Sequence, residues 1–283
     1  MFEGSLPVAD PEAEIRWEFR ERMERRLAQW YHGRNPHPDP ARQARRLFLA
    51  SLVHKVAMRR YVESMGVALP GLILEAPRLQ DVPWTMLPDR IAIKPSNNSY
   101  CRGVVLFDGV RDLMSGEAVP RGRLGRHVRQ VWDRDDILSK PRTTVVIERM
   151  VADCDPAYAV PRDFKMFTAG GRVHLIMVVD RSRGWRGRTA SFFTREWEFV
   201  RERITTNVEP GPDYPRPPGL EALVAAAETL SADLRAFYRL DFFLSPRGPV
   251  LGEFTSYPNA GQGFTPFGDR LMCAIMDHAP DWD

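Results

Sequence analysis

The chain has 283 residues, of which 43% are hydrophobic and 27% charged, enough apolar material for a sizeable core and too much for intrinsic disorder. The formal net charge is only +3 because 37 acids nearly balance 40 basic residues, which argues against a surface built to coat nucleic acid. Only four of the forty are lysines (Lys55, Lys94, Lys140 and Lys165), so each lysine is worth locating.

Three cysteines, Cys101, Cys154 and Cys273, lie far apart and form no CxxC pair, so neither a disulfide framework nor a structural zinc site is indicated, and a reducing cytoplasm fits best. The N-terminal stretch carries acids in place of a basic and an apolar region, and the longest apolar runs are strand-sized. The sequence predicts neither a signal peptide nor a membrane span.

Two helices are predicted first. Asp10-Pro11 opens one, whose stripe is Ile15, Phe19, Met23, Leu27 and Trp30. Asp39-Pro40 opens another, running to about Met65 and stopping at Gly66. From Leu69 prolines punctuate the chain until the strand-like run from Arg90 to Lys94. Further strands are expected at Gly103 to Phe107, Thr143 to Glu148, Asp163 to Thr168, Arg172 to Asp180, Ser191 to Val200, Tyr238 to Leu244 and Val250 to Thr255. Glu209 to Gly219 holds five prolines and reads as an extended crossing loop; helices follow from Leu220 to about Phe237 and from Asp269 to His278.

The most informative passage is Tyr238 to Thr255, two apolar-rich strands flanking Ser245-Pro246-Arg247-Gly248. A three-residue loop of Pro246, Arg247 and Gly248 sets Asp241 opposite Glu253, Arg239 opposite Thr255 and Phe243 opposite Leu251. One face is then greasy and the other holds Arg239, Asp241, Glu253 and Thr255. A two-residue loop would bury one carboxylate in the apolar layer, at a high cost for an unpaired charge. Two acids opposed at about 5 Å need positive charge between them, either a hard divalent ion such as magnesium or Arg239 bridging both in a plain ion-pair network.

Lys94 ends a strand and precedes the small polar loop Pro95 to Gly103, whose Ser96, Asn98 and Ser99 suit phosphate oxygens as well as they suit a solvated hairpin. Lys165 lies in an alternating strand among apolar residues, where it either snorkels outward or faces an anion in a cleft. Glu148, followed by Arg149, Met150 and Val151, suits an adenine edge or any strand end.

In this order, Ile91 to Pro95, Val146 to Val151, Asp163 to Gly171, Val179 to Arg181, Arg239 to Phe243 and Gly252 to Gly261 resemble the ATP-grasp superfamily, in particular its teichuronopeptide-biosynthesis (TupA-like) branch. The resemblance runs from about Lys55 to the C-terminus. It implies an α+β ATP-grasp fold in which two α+β subdomains, residues 89–148 and 149–283, sandwich ATP, preceded by a short helical region, residues 1–88. By resemblance Lys94 and Lys165 hold the phosphates, with Ser96, Asn98 and Ser99 in the phosphate loop. Glu148 meets the adenine amino group, with the backbone of Arg149, Met150 and Val151 along the adenine edge, and Asp155, by spacing only, meets the ribose. Asp241 and Glu253 bind magnesium, with Thr255 where many members have asparagine, and Arg181 and Arg239 face the transferred phosphoryl group alongside Lys165.

The loop lacks the family's usual glycines, and the N-terminal part lacks the usual preceding α/β domain. Lys55 matches the family's Asp-Lys start with His54 in place of the acid; Lys140 reads as surface. The implied activity is an ADP-forming carboxylate–amine ligase that works through an acyl phosphate on small-molecule substrates, in surface-polysaccharide or natural-product biosynthesis, with no nucleic acid or membrane partner. The alternative is a phosphotransferase on the same fold acting on a hydroxyl. A non-catalytic arginine-rich binder of RNA or of a phosphorylated partner is disfavoured because the basic residues are dispersed among acids and no aromatic RNP-like motif appears.

Overall fold

The computed structural model describes residues 17–98, 101–140, 142–184 and 186–279. Ser99 and the predicted Asp10-Pro11 helix start lie outside these residues. Three helices come first: α1 (Glu18–Trp30), α2 (Pro40–Ser51) and α3 (Lys55–Ser64). Asp39 caps α2 through a carboxylate that accepts from the Ala41 amide at 2.8 Å, with Pro40 in the first turn. The long second helix predicted to Met65 is interrupted at Leu52 to His54. There the Lys55 amide donates to the Ser96 carbonyl (3.3 Å) and ties the start of α3 to the first sheet.

That sheet has four antiparallel strands in the order β1 (Leu72–Ala76), β4 (Val145–Arg149), β2 (Ile91–Pro95) and β3 (Val105–Phe107). β1 pairs with β4 although it lies upstream of residue 89, and the prolines that obscure it in sequence fall in the connection that follows. The sheet is backed by α4 (Leu124–Arg134), a helix absent from the predicted elements, which buries Leu124, Val128, Val131 and Trp132 on one face.

The second sheet has six strands in the order β10 (Gly248–Thr255), β9 (Tyr238–Ser245), β5 (Asp163–Ala169), β6 (Arg172–Asp180), β7 (Thr189–Phe193) and β8 (Glu209–Pro210). All pairs are antiparallel except β7 with β8, so the proline-rich stretch touches the sheet only at its edge. The strand predicted from Ser191 to Val200 ends at Phe193. The chain turns there through Trp197, whose ring stacks on Phe193 with centroids 4.2 Å apart.

α5 (Leu220–Leu234) and α2 and α3 share one core with β5, β6, β9 and β10, whereas α1 and α6 (Pro266–Met276) pack into a second core centred on Phe19, Phe237, Phe264 and Met272. α6 begins three residues earlier than predicted because Thr265 caps it, its hydroxyl accepting from the Gly268 amide at 3.0 Å. No helix among the described residues is long and apolar enough to cross a membrane.

Candidate active site

A cleft of about 350 Å³ is lined on one side by the four-stranded sheet and on the other by the six-stranded one. Lys94 and Glu148 enter from the first. Lys165, Arg181, Arg239, Asp241, Glu253 and Thr255 enter from the second, and Arg149, Met150 and Val151 line the connection between the two.

The hairpin β9–β10 sets the geometry. Its turn has two residues, with Gly248 (φ +110°) paired to Ser245, and from there Pro249 faces Leu244, Val250 faces Phe243 and Leu251 faces Phe242. The predicted three-residue loop and the Phe243–Leu251 pairing are therefore incorrect, and Leu251 enters the core. A bulge at Gly252 then shifts the register by one residue, so that Glu253 faces Asp241 and Thr255 faces Arg239 as predicted. The bulge resolves the dilemma of the two-residue loop by returning both carboxylates to one face. Glycine fits there without strain, because a Cβ would come within 2.9 Å of the Phe243 ring and force it to shift.

The strand register continues the row: Asp241 faces Lys165 on β5, and Lys165 faces Met177 on β6. Charges alternate along it. Arg181 donates to Asp163, Lys165 lies 3.3 Å from Asp163 and donates to Asp241, and Arg239 forks onto Asp241 at 2.7 and 2.8 Å while reaching the Thr255 hydroxyl at 3.0 Å. Burial pushes the Asp163 carboxyl up, but Arg181 and Lys165 outweigh it and hold it at about 2.

Arg239 thus neutralises Asp241 alone and does not bridge both acids. Glu253 makes no ion pair or hydrogen bond among the described residues, although its charge is felt by Lys55, Lys94 and Arg239. No group of three or more His, Cys, Asp or Glu gathers as a metal cage among the described residues. Two opposed carboxylates with a hydroxyl beside them are an oxygen-only donor set. Such a set fits magnesium, which completes its shell with water and phosphate oxygens.

On the opposite wall Glu148 is 4% exposed and holds two cations, Lys94 at 2.7 Å and Arg59 at 2.7 Å. Burial alone would lower the Lys94 pKa; the Glu148 carboxylate overcomes it and raises it. The Arg149 amide donates to Gly71 and the Met150 amide to Arg90, which leaves the Val151 amide as the hinge donor without a protein partner among the described residues.

The structure does not bring two predicted residues into the cleft. Ser96 is fully buried one residue past the β2–β4 pairing, its amide donating to the Thr144 carbonyl and its hydroxyl accepting from the Thr144 amide. Asp155 is exposed and caps a turn at the Ala157 amide; its neighbour Asp153 is the buried acid, clamped by Arg162. Asn98 does line the cleft, with its carbonyl accepting from Lys55 at 3.0 Å and its side-chain oxygen from Lys140 at 2.9 Å.

Lys55 is the residue that sequence reasoning placed nowhere in the site. It opens α3 at 8% exposure, lines the cleft, and has a neutral carbonyl as its hydrogen-bond acceptor. Burial lowers its pKa and the nearby Lys94 lowers it further, against a partial pull from Glu253. The signal was present in composition: all four lysines of the chain either line this cleft or hold the loop beside it.

At the far end of the cleft, Ser256 to Gly261 follows directly on Thr255. Asn259, Ala260 and Gly261 are consecutively left-handed (φ 51°, 51° and 74°), a conformation costing about 1–2 kcal/mol for a residue such as alanine. Tyr257, Pro258, Asn259 and Arg188 all line the cleft, and the Arg188 guanidinium donates to the Asn207 carbonyl at 3.1 Å.

Residues 40–275 match the family described as TupA-like ATP-grasp. Among solved structures, D-alanine–D-alanine ligase from Bacillus anthracis aligns with a TM-score of 0.50 at 14% identity, covering 82% of this chain and 69% of that one. D-alanine–D-alanine ligase from Helicobacter pylori aligns at 0.46 and 14%, over 82% and 62% of the two chains, and L-amino acid ligase from Bacillus licheniformis at 0.47 and 17%, over 76% and 45%. The chain thus spans less than two thirds of the length of the latter two, and at these identities the likeness is one of fold. A comparison with functionally curated proteins gives no match. With a family match that covers most of the chain and two sheets enclosing one charged cleft, the protein belongs to the TupA-like ATP-grasp family and has the ATP-grasp fold.

Proposed function

We propose that the protein is an ADP-forming, ATP-dependent carboxylate–amine ligase that works through an acyl phosphate. The observation that carries this reading is the convergence of Lys94, Lys165, Arg239, Asp241 and Glu253, from both sheets, on one cleft. Lys94 and Lys165 bind phosphate oxygens, joined by Lys55, while Glu148 and the Val151 amide read the adenine edge. Asp241, Glu253 and Thr255 hold magnesium, and Arg181 and Arg239 neutralise charge on the phosphoryl group in transfer. When bound, magnesium-ATP supplies the phosphoryl group and the leaving ADP; the chain's own residues position and shield the reactants. The lobes meeting at the cleft are one built on the four-stranded sheet, with β1 extending it upstream of residue 89, and one built on residues 149–283, after a helical N-terminal region.

Asn259, Asn207 and Arg188, above the apolar floor of Phe167 and Met177, form the place for the second substrate. That lining suits a small organic acid or amino acid with an apolar body, of the kind joined in surface-polymer or natural-product synthesis. Incubation with magnesium, ATP and pools of acids, using hydroxylamine as a general nucleophile, is expected to release ADP and phosphate and to accumulate a hydroxamate. A stable phosphoester in the phosphorus NMR spectrum, with little free phosphate, would instead establish a kinase on the same fold.

A further inference from the structure

Helix α1 lies before residue 40, where the family match begins, yet its contacts lead to the hairpin that carries Asp241 and Glu253. Arg26 is 2% exposed and donates to two carbonyls, Phe237 at 3.0 Å and Ser256 at 2.9 Å. These residues immediately precede β9 and follow β10, so one guanidinium spans the open end of the hairpin where Arg239 faces Thr255. The Arg26 guanidinium is itself held over the Trp30 and Phe237 rings, with centroids 4.7 and 5.7 Å away.

The same helix holds the loop beyond. Tyr31 shares a 2.5 Å hydrogen bond with the Ser256 hydroxyl, and its ring meets that of Tyr257 edge-on at 4.9 Å. Gly261 packs so closely on α1 that a Cβ there would lie 2.4 Å from the Arg20 Cα. From the other side, the buried Asp269 of α6 accepts from the Phe19 amide at 3.1 Å and fixes the start of α1. The left-handed turn at Asn259 to Gly261, unfavourable on its own, is therefore enclosed by α1 at both its entry and its exit.

We infer that α1 is a positioning element of the active site, with Arg26 as its key residue. Arg26 holds the ends of the metal-binding hairpin at a fixed separation, and Tyr31 and the Gly261 contact hold the Tyr257 to Asn259 rim in the conformation that faces the cleft. Arg26 does not line the cleft; it acts through Ser256 and Phe237. The role toward magnesium rests on the function proposed above, whereas the hold on the loop does not.

The test replaces Arg26 with Met, which keeps much of the stem and removes the donors, and follows two readouts. Hydrogen exchange of the Ala260 and Gln262 amides, bonded to Tyr257 and Asn259, is expected to quicken at least 10-fold while amides of β5 and β6 stay unchanged. Calorimetric titration with ADP is expected to show nucleotide affinity without magnesium within 2-fold of the original, and a magnesium midpoint raised at least 10-fold; Arg26→Lys is expected to recover part of both. Should Arg26→Met fail to fold, Tyr31→Phe, which removes one hydroxyl, is expected to move the exchange in the same direction by a smaller factor. Uniformly faster exchange across the sheet, or unchanged exchange at 260 and 262, overturns the inference. If the original protein binds no nucleotide, the function proposed above falls, and the exchange result alone decides the hold of α1.

Discussion

Replacing Lys55 with Met separates a functional lysine from a structural one. Lys55 is nearly buried, its hydrogen bond goes to the neutral Asn98 carbonyl, and burial drives its pKa down. A charge buried without a carboxylate partner is a liability to the fold, so its removal is expected to leave stability unchanged or raise it by about 1–2 kcal/mol. For a chain of this size each kcal/mol corresponds to a Tm change of roughly 2–4 °C. Nucleotide affinity is expected to move the other way: one charge-assisted hydrogen bond to phosphate is worth about 1.5–3 kcal/mol, so the Kd for ATP rises about 10- to 100-fold.

The pH dependence follows from the direction of the shift. A lysine whose folded pKa is depressed makes the unfolded chain bind more protons in the window below the ordinary value of about 10.4, so the original protein gains stability as pH rises through that window. The variant is expected to lose that slope. Circular-dichroism melts between pH 7 and 10.5 and a calorimetric ATP titration measure both effects. A Tm lowered by more than about 5 °C with an unchanged Kd would refute the reasoning and make Lys55 a strut for the Asn98 loop.

Glu253→Gln and Asp241→Asn are expected to differ although both remove a carboxylate from the proposed magnesium site: the first leaves Tm within a few degrees, while the second leaves Lys165 and Arg239 short of their partner and costs about 3–5 kcal/mol, read by urea unfolding. Gly252→Ala drives a methyl into the Phe243 ring and is expected to cost about 1–3 kcal/mol and to weaken the magnesium dependence of nucleotide binding, since the register shift at the bulge aligns the carboxylates. His174, stacked on His278 at 4.3 Å, is held by burial at about 4, so stability should fall as pH drops from about 6.5 to 4, by about 2 kcal/mol after allowance for its partial exposure. His174→Gln is expected to flatten that loss in melts across the same range.

The residues that face each other across the β9–β10 hairpin were legible because alternation and the pairing of Asp241 with Glu253 are local properties of two adjacent strands. The turn was not, because Gly248 serves a two-residue loop as readily as a longer one, and the compensating bulge depends on a contact between Gly252 and Phe243 that only the folded pair creates. Lys94 and Lys165 stood out by rarity. Lys55 shared that rarity, but its place in the cleft depends on a break between two helices whose apolar periodicity runs on through it. α4 was missed even though Leu124, Val128, Val131 and Trp132 share a face, because arginines separate them and no capping residue marks its start. Ser96 reads as a loop residue in sequence and is buried and bonded to Thr144 in the fold, since strand ends are set by the partner strand.

The alternating row along the large sheet has a consequence for the order in which ligands can enter. Lys165 and Arg239 are paired with Asp241, and Lys94 with Glu148, so of the three lysines that line the cleft Lys55 alone lacks a carboxylate partner among the described residues. On the function proposed above, a cation at Asp241 and Glu253 would free Lys165 and Arg239 for a polyphosphate, while Lys94 stays with Glu148. On that function, cation and polyphosphate are each expected to bind more tightly in the other's presence.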